Sequence, residues 1–149
     1  MDLDDYQTSF LLYAPARNPH GWNLDLPSFA ETLQATFPEA RCAAQQSDVS
    51  PGTARLQFYA VTDEGEEFDG LANTDGRDNV LLIDNTAAEA AVFIEWLRDS
   101  VLADPDLIRF SSELAVESGI ETDWRVPAVG DREAIIDELQ QHIRVVAGT

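Results

Sequence analysis

The chain has 149 residues with a single Cys, and sets 28 Asp and Glu against 9 Arg and no Lys, for a formal net charge of −19. No apolar run approaches the ~18 residues that span a bilayer, and Cys42 alone excludes an internal disulfide and a multi-cysteine metal site. The negative field argues against nucleic-acid backbones and anionic membranes as partners and favours a cationic one, although adaptation to high salt, or Lys-to-Arg replacement in a GC-rich genome, would leave the same signature.

Residues 1–7 are an acidic leader, expected to fray; acidic where a secretory signal is basic, it gives no indication of export and leaves the cytoplasm as the default. Ser9 to Ala14 reads as a strand ended by Pro15, and Arg17 to Asn23 as a loop. Asp25 is placed to cap a helix in which Leu26, Phe29, Ala30, Leu33 and Phe37 form one apolar stripe closed by Pro38. Glu39 to Thr53 is small and polar, a long loop with a short extended piece near Arg41–Ala44. From Ala54 to Thr62 the alternation of Leu56, Phe58 and Ala60 with Arg55, Gln57 and Tyr59 predicts a half-buried strand. Asp63-Glu64-Gly65-Glu66 turns it into Glu67–Ala72, with Phe68 inward. Asn73-Thr74-Asp75-Gly76 then leads to Asn79–Asp84, whose continuous Val-Leu-Leu-Ile run reads as a fully buried strand with Leu81 and Ile83 in the core.

Thr86 and Glu89 stand in capping-box relation and start the central helix, expected to run to Leu102. Ala90, Phe93, Ile94, Leu97 and Val101 share one side of it, with Glu95, Arg98 and Asp99 on the polar side. Leu107–Phe110 is the expected last strand, and Ser111 or Ser112 caps a short helix through Ser118 with Gly119 after it, a continued strand being the alternative. Glu121 to Val129 reads as irregular. Asp131 caps a final helix with Ile135, Ile136, Leu139, Ile143 and Val146 on one face. The expected fold is a single α+β domain over residues 1–149: a two-layer sandwich, order β-α-β-β-β-α-β-α, with a mostly antiparallel sheet of about five strands and helices packed on one face.

Chemistry-bearing patterns are sparse. The motifs for nucleophile elbows, phosphate loops and dinucleotide binding are missing. His20 and His142 have no zinc spacing, and Asn73–Asn79 alternates oxygen side chains like a calcium loop but with its Gly too early. Cys42 beside Arg41 has no evident base. Neither catalytic residues, nor metal, nor cofactor is expected from these patterns. The densest feature is Asp63, Glu64, Glu66, Glu67 and Asp69, five carboxylates within seven residues. Such a run is either a solvated turn or a docking surface for a basic protein. Tyr59, Trp22 and Trp124 lie outside the periodic stripes, as interface anchors or as lids on the core.

The layout resembles the small acidic α+β immunity proteins that bacteria make against toxins. That resemblance rests on the Phe10–Ala14 strand, the Leu26–Phe37 helix, the Ala54–Ile83 meander, the Thr86–Leu102 helix and the acid run at 63–69. It implies a non-enzymatic module masking a cationic partner, with Asp63, Glu64, Glu66, Glu67, Asp69, Tyr59, Trp22 and Trp124 as the contact set. The alternatives are a small-molecule binder or enzyme with a pocket near His20, and a structural or subunit domain whose acidity is only adaptation.

Overall fold

Helices begin in this chain where a side chain satisfies backbone N–H groups that the first turn leaves free. The structure, a computed structural model, describes residues 2–46, 54–102, 104–120 and 124–148. Asp25 accepts from the Ser28 N–H (3.1 Å) and opens α1 (Leu26–Thr36). Thr86 accepts from the Glu89 N–H (3.2 Å) while Glu89 accepts from the Thr86 N–H (2.9 Å), a complete capping box that opens α2 (Ala87–Trp96). Ser112 and Asp131 cap α3 (Glu113–Glu117) and α4 (Arg132–Val146) in the same way. After α3, Gly119 at φ 68° lets the Ile120 N–H reach the Ala115 carbonyl and its own N–H reach Val116, the two bonds of a Schellman ending.

The strands are β1 (Thr8–Tyr13), β2 (Arg41–Gln46), β3 (Ala54–Val61), β4 (Glu67–Asn73), β5 (Asn79–Asn85), β6 (Arg109–Ser112) and β7 (Trp124–Arg125). They form one seven-stranded sheet in the order β2-β3-β4-β5-β1-β6-β7, every pair antiparallel. The protein is thus α+β, but the expected sheet of about five strands is too small. The extended piece near Arg41–Ala44 is a full edge strand, and Trp124–Arg125, inside a stretch expected to be irregular, adds a two-residue strand at the opposite edge. The rest of the expected long loop, at 47–53, and residues 121–123 lie outside the described residues.

One face of the sheet carries the core. Leu56, Ala72, Val80, Leu12 and Phe110 form a cross-strand row, and Phe58, Gly70, Leu82 and Phe10 form the next. Helices α1 and α2 meet this face through an aromatic cluster. Phe93 stacks on Phe58 (5.4 Å, 8° between planes), Phe29 sits edge-on to Phe58 (5.5 Å), and Trp96 meets Phe93, Phe29 and Phe37. Gly70 makes the stacking possible. A Cβ there would run into the Leu81 carbonyl and the Phe58 ring, so only glycine lets that ring lie across the strand.

Two expectations fail against this core. The Asn79–Asp84 run is not fully buried: Val80 and Leu82 are at 0% exposure, whereas Leu81 is half-buried and Ile83 is 41% exposed. Side chains alternate between faces, so on this strand Leu82 and Ile83 cannot both point inward. Helical spacing puts Arg98 on the polar side of the central helix, yet it is 5% exposed. That helix leaves α-spacing after Trp96, and Leu97–Val101 forms a wider π-turn closed by the Leu102 N–H on the Leu97 carbonyl. From it Arg98 reaches inward to donate to the carbonyls of Pro127 and Gly130 (both 2.9 Å), tying down the approach to α4. Asp99 takes its other donors, and these hydrogen bonds hold the Asp99 carboxyl below the usual carboxylate range. The leader also packs: Leu3 and Tyr6 lie against the core, and Gln140 donates to Asp4 (3.0 Å). Among the described residues no helix is long and apolar enough to cross a membrane.

Candidate functional site

The acid run folds as the β3–β4 hairpin. Asp63 and Glu64 are exposed at its turn, Glu66 accepts from the Thr62 hydroxyl, and Glu67 accepts from the Tyr59 hydroxyl (3.1 Å). Asp69 pairs with Tyr59 on one side and Ile83 on the other, so the carboxylates of Glu67 and Asp69, Tyr59 and Ile83 all belong to the outer face, opposite the core. A hollow of about 240 Å³ lies between the hairpin and the helices, lined by Phe37, Asp63, Glu64, Glu66, Val92 and Arg132.

The tryptophans do not join this surface. Trp22 is 3% exposed and its indole N–H donates to the Leu107 carbonyl (2.6 Å), which makes it core and not an exposed anchor. Trp124 is half-buried on the far edge strand, packed against Phe110 and edge-on to His142. Of the residues expected to contact a partner, the structure therefore brings together the carboxylates and Tyr59.

Both histidines are held by specific partners. His20 stands 59% exposed with Nδ1 3.1 Å from Asp78, a carboxylate that is itself buried and also accepts from the Leu24 N–H. Asp78 also donates its own N–H to the Pro19 carbonyl and accepts from the Ala14 N–H, so it is the clasp of the 15–24 loop. The cavity beside Trp22, about 210 Å³, is lined by Asn23, Leu24, Ser28 and Val101 and not by His20. His142, expected at the edge of the α4 stripe, is at 0% exposure with Nε2 2.8 Å from Ser112 Oγ, and burial lowers its pKa to about 4. Burial also pushes the Cys42 thiol up, away from reactivity. Among the described residues no three His, Cys, Asp or Glu side chains are gathered as metal ligands.

The outer face itself was not anticipated. Leu71, Leu81 and Leu11 sit side by side across β4, β5 and β1. Beside them lies a wide groove of about 830 Å³ lined by Leu11, Tyr13, Arg77, Asn79, Val116 and Ile120. Arg77 lies over the Tyr13 ring at 5.2 Å, and Arg41 over the Tyr59 ring at 4.7 Å. The signal available in the sequence was the pair of apolar runs at 10–13 and 80–83: two adjacent strands that are apolar on both faces leave one apolar face outside the core. No protein family, curated protein or solved structure matches the chain.

Proposed function

We propose that this chain is a non-catalytic interaction module that captures a cationic protein at its acidic β3–β4 hairpin, acting in the cytoplasm as an immunity or inhibitor protein acts on a toxin. In this reading the helices pack on one face of a two-layer sandwich and leave the other for recognition. The observation that carries it is the hairpin itself: Asp63, Glu64, Glu67 and Asp69 are exposed around one tip, next to the aromatic Tyr59 and the exposed Ile83. Carboxylates so placed steer a basic surface into register, while the aromatic and apolar groups beside them hold the complex once formed.

The test uses the immobilised chain to capture basic proteins, with the bound protein identified by mass spectrometry. Association is then timed at two ionic strengths. Replacing Glu64, Glu66 and Glu67 by Gln is expected to slow association and flatten its salt dependence, with dissociation changed less. An association rate that ignores all three substitutions removes the hairpin from recognition.

A further inference from the structure

We propose that two copies of this chain associate through the outer faces of their sheets, stacked so that the acidic end of each face meets the arginine end of the other. The inference goes beyond the capture of a cationic protein and does not rest on it, although the two share Tyr59, Glu67, Asp69 and Ile83 and leave only the hairpin tip at Asp63 and Glu64 to capture alone.

The strand register sorts the outer face into rows. At the hairpin end, Arg41, Tyr59, Asp69 and Ile83 are cross-strand neighbours, with Glu67 beyond them. In the middle, Gln57, Leu71, Leu81, Leu11 and Ser111 adjoin. At the other end, Arg55, Asn73, Asn79, Tyr13, Arg109 and Arg125 adjoin, with Arg77 stacked on Tyr13. Residues on one face recur every ~6.7 Å along a strand, which separates the carboxylate row from the arginine row by about 13 Å, with the leucines midway. Along β3 and β4 the face is polarised, with Glu67 and Asp69 exposed at one end and Arg55 at the other; Arg125 joins the arginine end on β7, while Arg41 on the edge strand β2 is an exposed cation at the carboxylate end.

A face with opposite charges at its two ends complements itself under a two-fold rotation. An axis along the strands would set carboxylates on carboxylates. An axis along the leucine row reverses the strands and keeps each strand over its own copy. Asp69 then falls opposite Asn73 of the second copy, beside that copy's Arg55, and Tyr59 falls opposite the second copy's Arg55. Leucine row meets leucine row. Arg109 on β6 is 8% exposed, so the open part of the face runs from β2 to β1; these five strands span roughly 20–25 Å and the rows with their flanks about 20 Å, so each copy would bury about 450 Å², the size of a weak, concentration-dependent dimer. The net charge of −19 on each copy opposes approach at long range. Salt screens that term beyond ~8 Å and leaves the contact pairs, so self-association should strengthen from low to physiological ionic strength, the reverse of capture of a cationic protein.

Sedimentation equilibrium of the full chain tests this. The wild type is expected to dimerise, more tightly at physiological salt than at low salt. Asp69→Arg and Arg55→Glu, both at exposed positions, should each weaken the dimer by about tenfold or more, with the fold checked by near-ultraviolet circular dichroism. Combining them re-creates both contacts with the signs exchanged, and should bring the constant back to within about threefold of wild type. A wild type that stays monomeric at hundreds of micromolar, a dimer indifferent to either reversal, or a combined variant no tighter than the single ones would each overturn the proposal.

Discussion

Leu82 and Ile83 are consecutive residues of one strand, nearly equal in volume, and they occupy different solvents. Leu82 is at 0% exposure in the row with Phe10 and Gly70, beneath the aromatic cluster of α1 and α2; Ile83 is 41% exposed beside Asp69. The same contrast runs through β1, with Phe10 and Leu12 inside and Leu11 at 37% exposure. The inner face explains why the chain folds: burial of large side chains at ~25 cal/mol per Å² dominates its stability. The outer face adds little to folding, and its tyrosines and arginines are residue types enriched at protein interfaces.

The largest effect expected from breaking the inner face is at Phe93, which contacts Phe58, Phe68 and Trp96 at once. Phe93→Ala should cost about 3–5 kcal/mol in urea unfolding, and Leu82→Ala about 2–5 kcal/mol. Midpoints near wild type for both would mean that α2 does not pack on this face.

His142 sharpens the comparison through pH. Buried among Phe110, Trp124 and Ser112, it stays neutral in the folded chain with a pKa of about 4, against 6.5 for a solvated imidazole. Its folded pKa is lowered, so the unfolded state binds the extra proton between those values, and stability falls as pH drops from 6.5 toward 4. Below that window the loss levels off at on the order of 3 kcal/mol. Other carboxylates titrate nearby, so the measurement is the difference between wild type and His142→Gln, which should lose this slope; parallel pH curves would show that the imidazole is not the source.

Arg98 is next in size. It is charged but interior, and its value lies in the two carbonyls it satisfies, Pro127 and Gly130. Arg98→Ala should cost about 2–3 kcal/mol, because the buried guanidinium's charged hydrogen bonds to two carbonyls and its interior packing are lost together. Hydrogen exchange should show the loosening first in residues 126–131; an unchanged melting temperature would reduce the contacts to surface decoration.

How far these features could be read in advance follows from how local they are. The helices and their caps at Asp25, Thr86 and Asp131 were legible, since a cap and an apolar stripe involve residues within a few positions of one another, whereas at the short α3 the sequence leaves both Ser111 and Ser112 open as the cap and a continued strand as the alternative. The hairpin acids were legible for the same reason. Strand order was not, because β1 lies between β5 and β6 through pairings made far along the chain. Nor could Val80–Ile83 reveal which alternate residues face inward, since an apolar run has no period to read. Arg98 looked like a surface residue because a guanidinium is normally solvated, and its carbonyl partners come from a loop some thirty residues on. The outer face is hidden for the same reason, since an apolar run gives no sign that Leu81 and Ile83 point away from the core.

The cap is the smaller test of local legibility. Thr86→Ala strands the Glu89 N–H without touching either face and should destabilise by roughly 1 kcal/mol. Hydrogen exchange at residues 87–90 would show the fraying, and a helix that begins elsewhere would leave exchange there unchanged.

The smallest expected effect is the most discriminating for the two faces. Ile83→Thr keeps the β-branch that suits an extended strand and exchanges an ethyl group that already meets water for a hydroxyl, so unfolding of the dilute monomer should change by no more than about 0.5 kcal/mol. At neighbouring Leu82 the same loss of apolar volume would open a cavity, and the contrast between adjacent residues then measures the sheet's two environments directly. A cost above ~2 kcal/mol at Ile83 in dilute solution would mean that the outer face is covered within the single chain. If instead the substitution is neutral when dilute but lowers the melting temperature as concentration rises, the side chain is being buried by a second molecule, since only an association equilibrium makes stability depend on concentration.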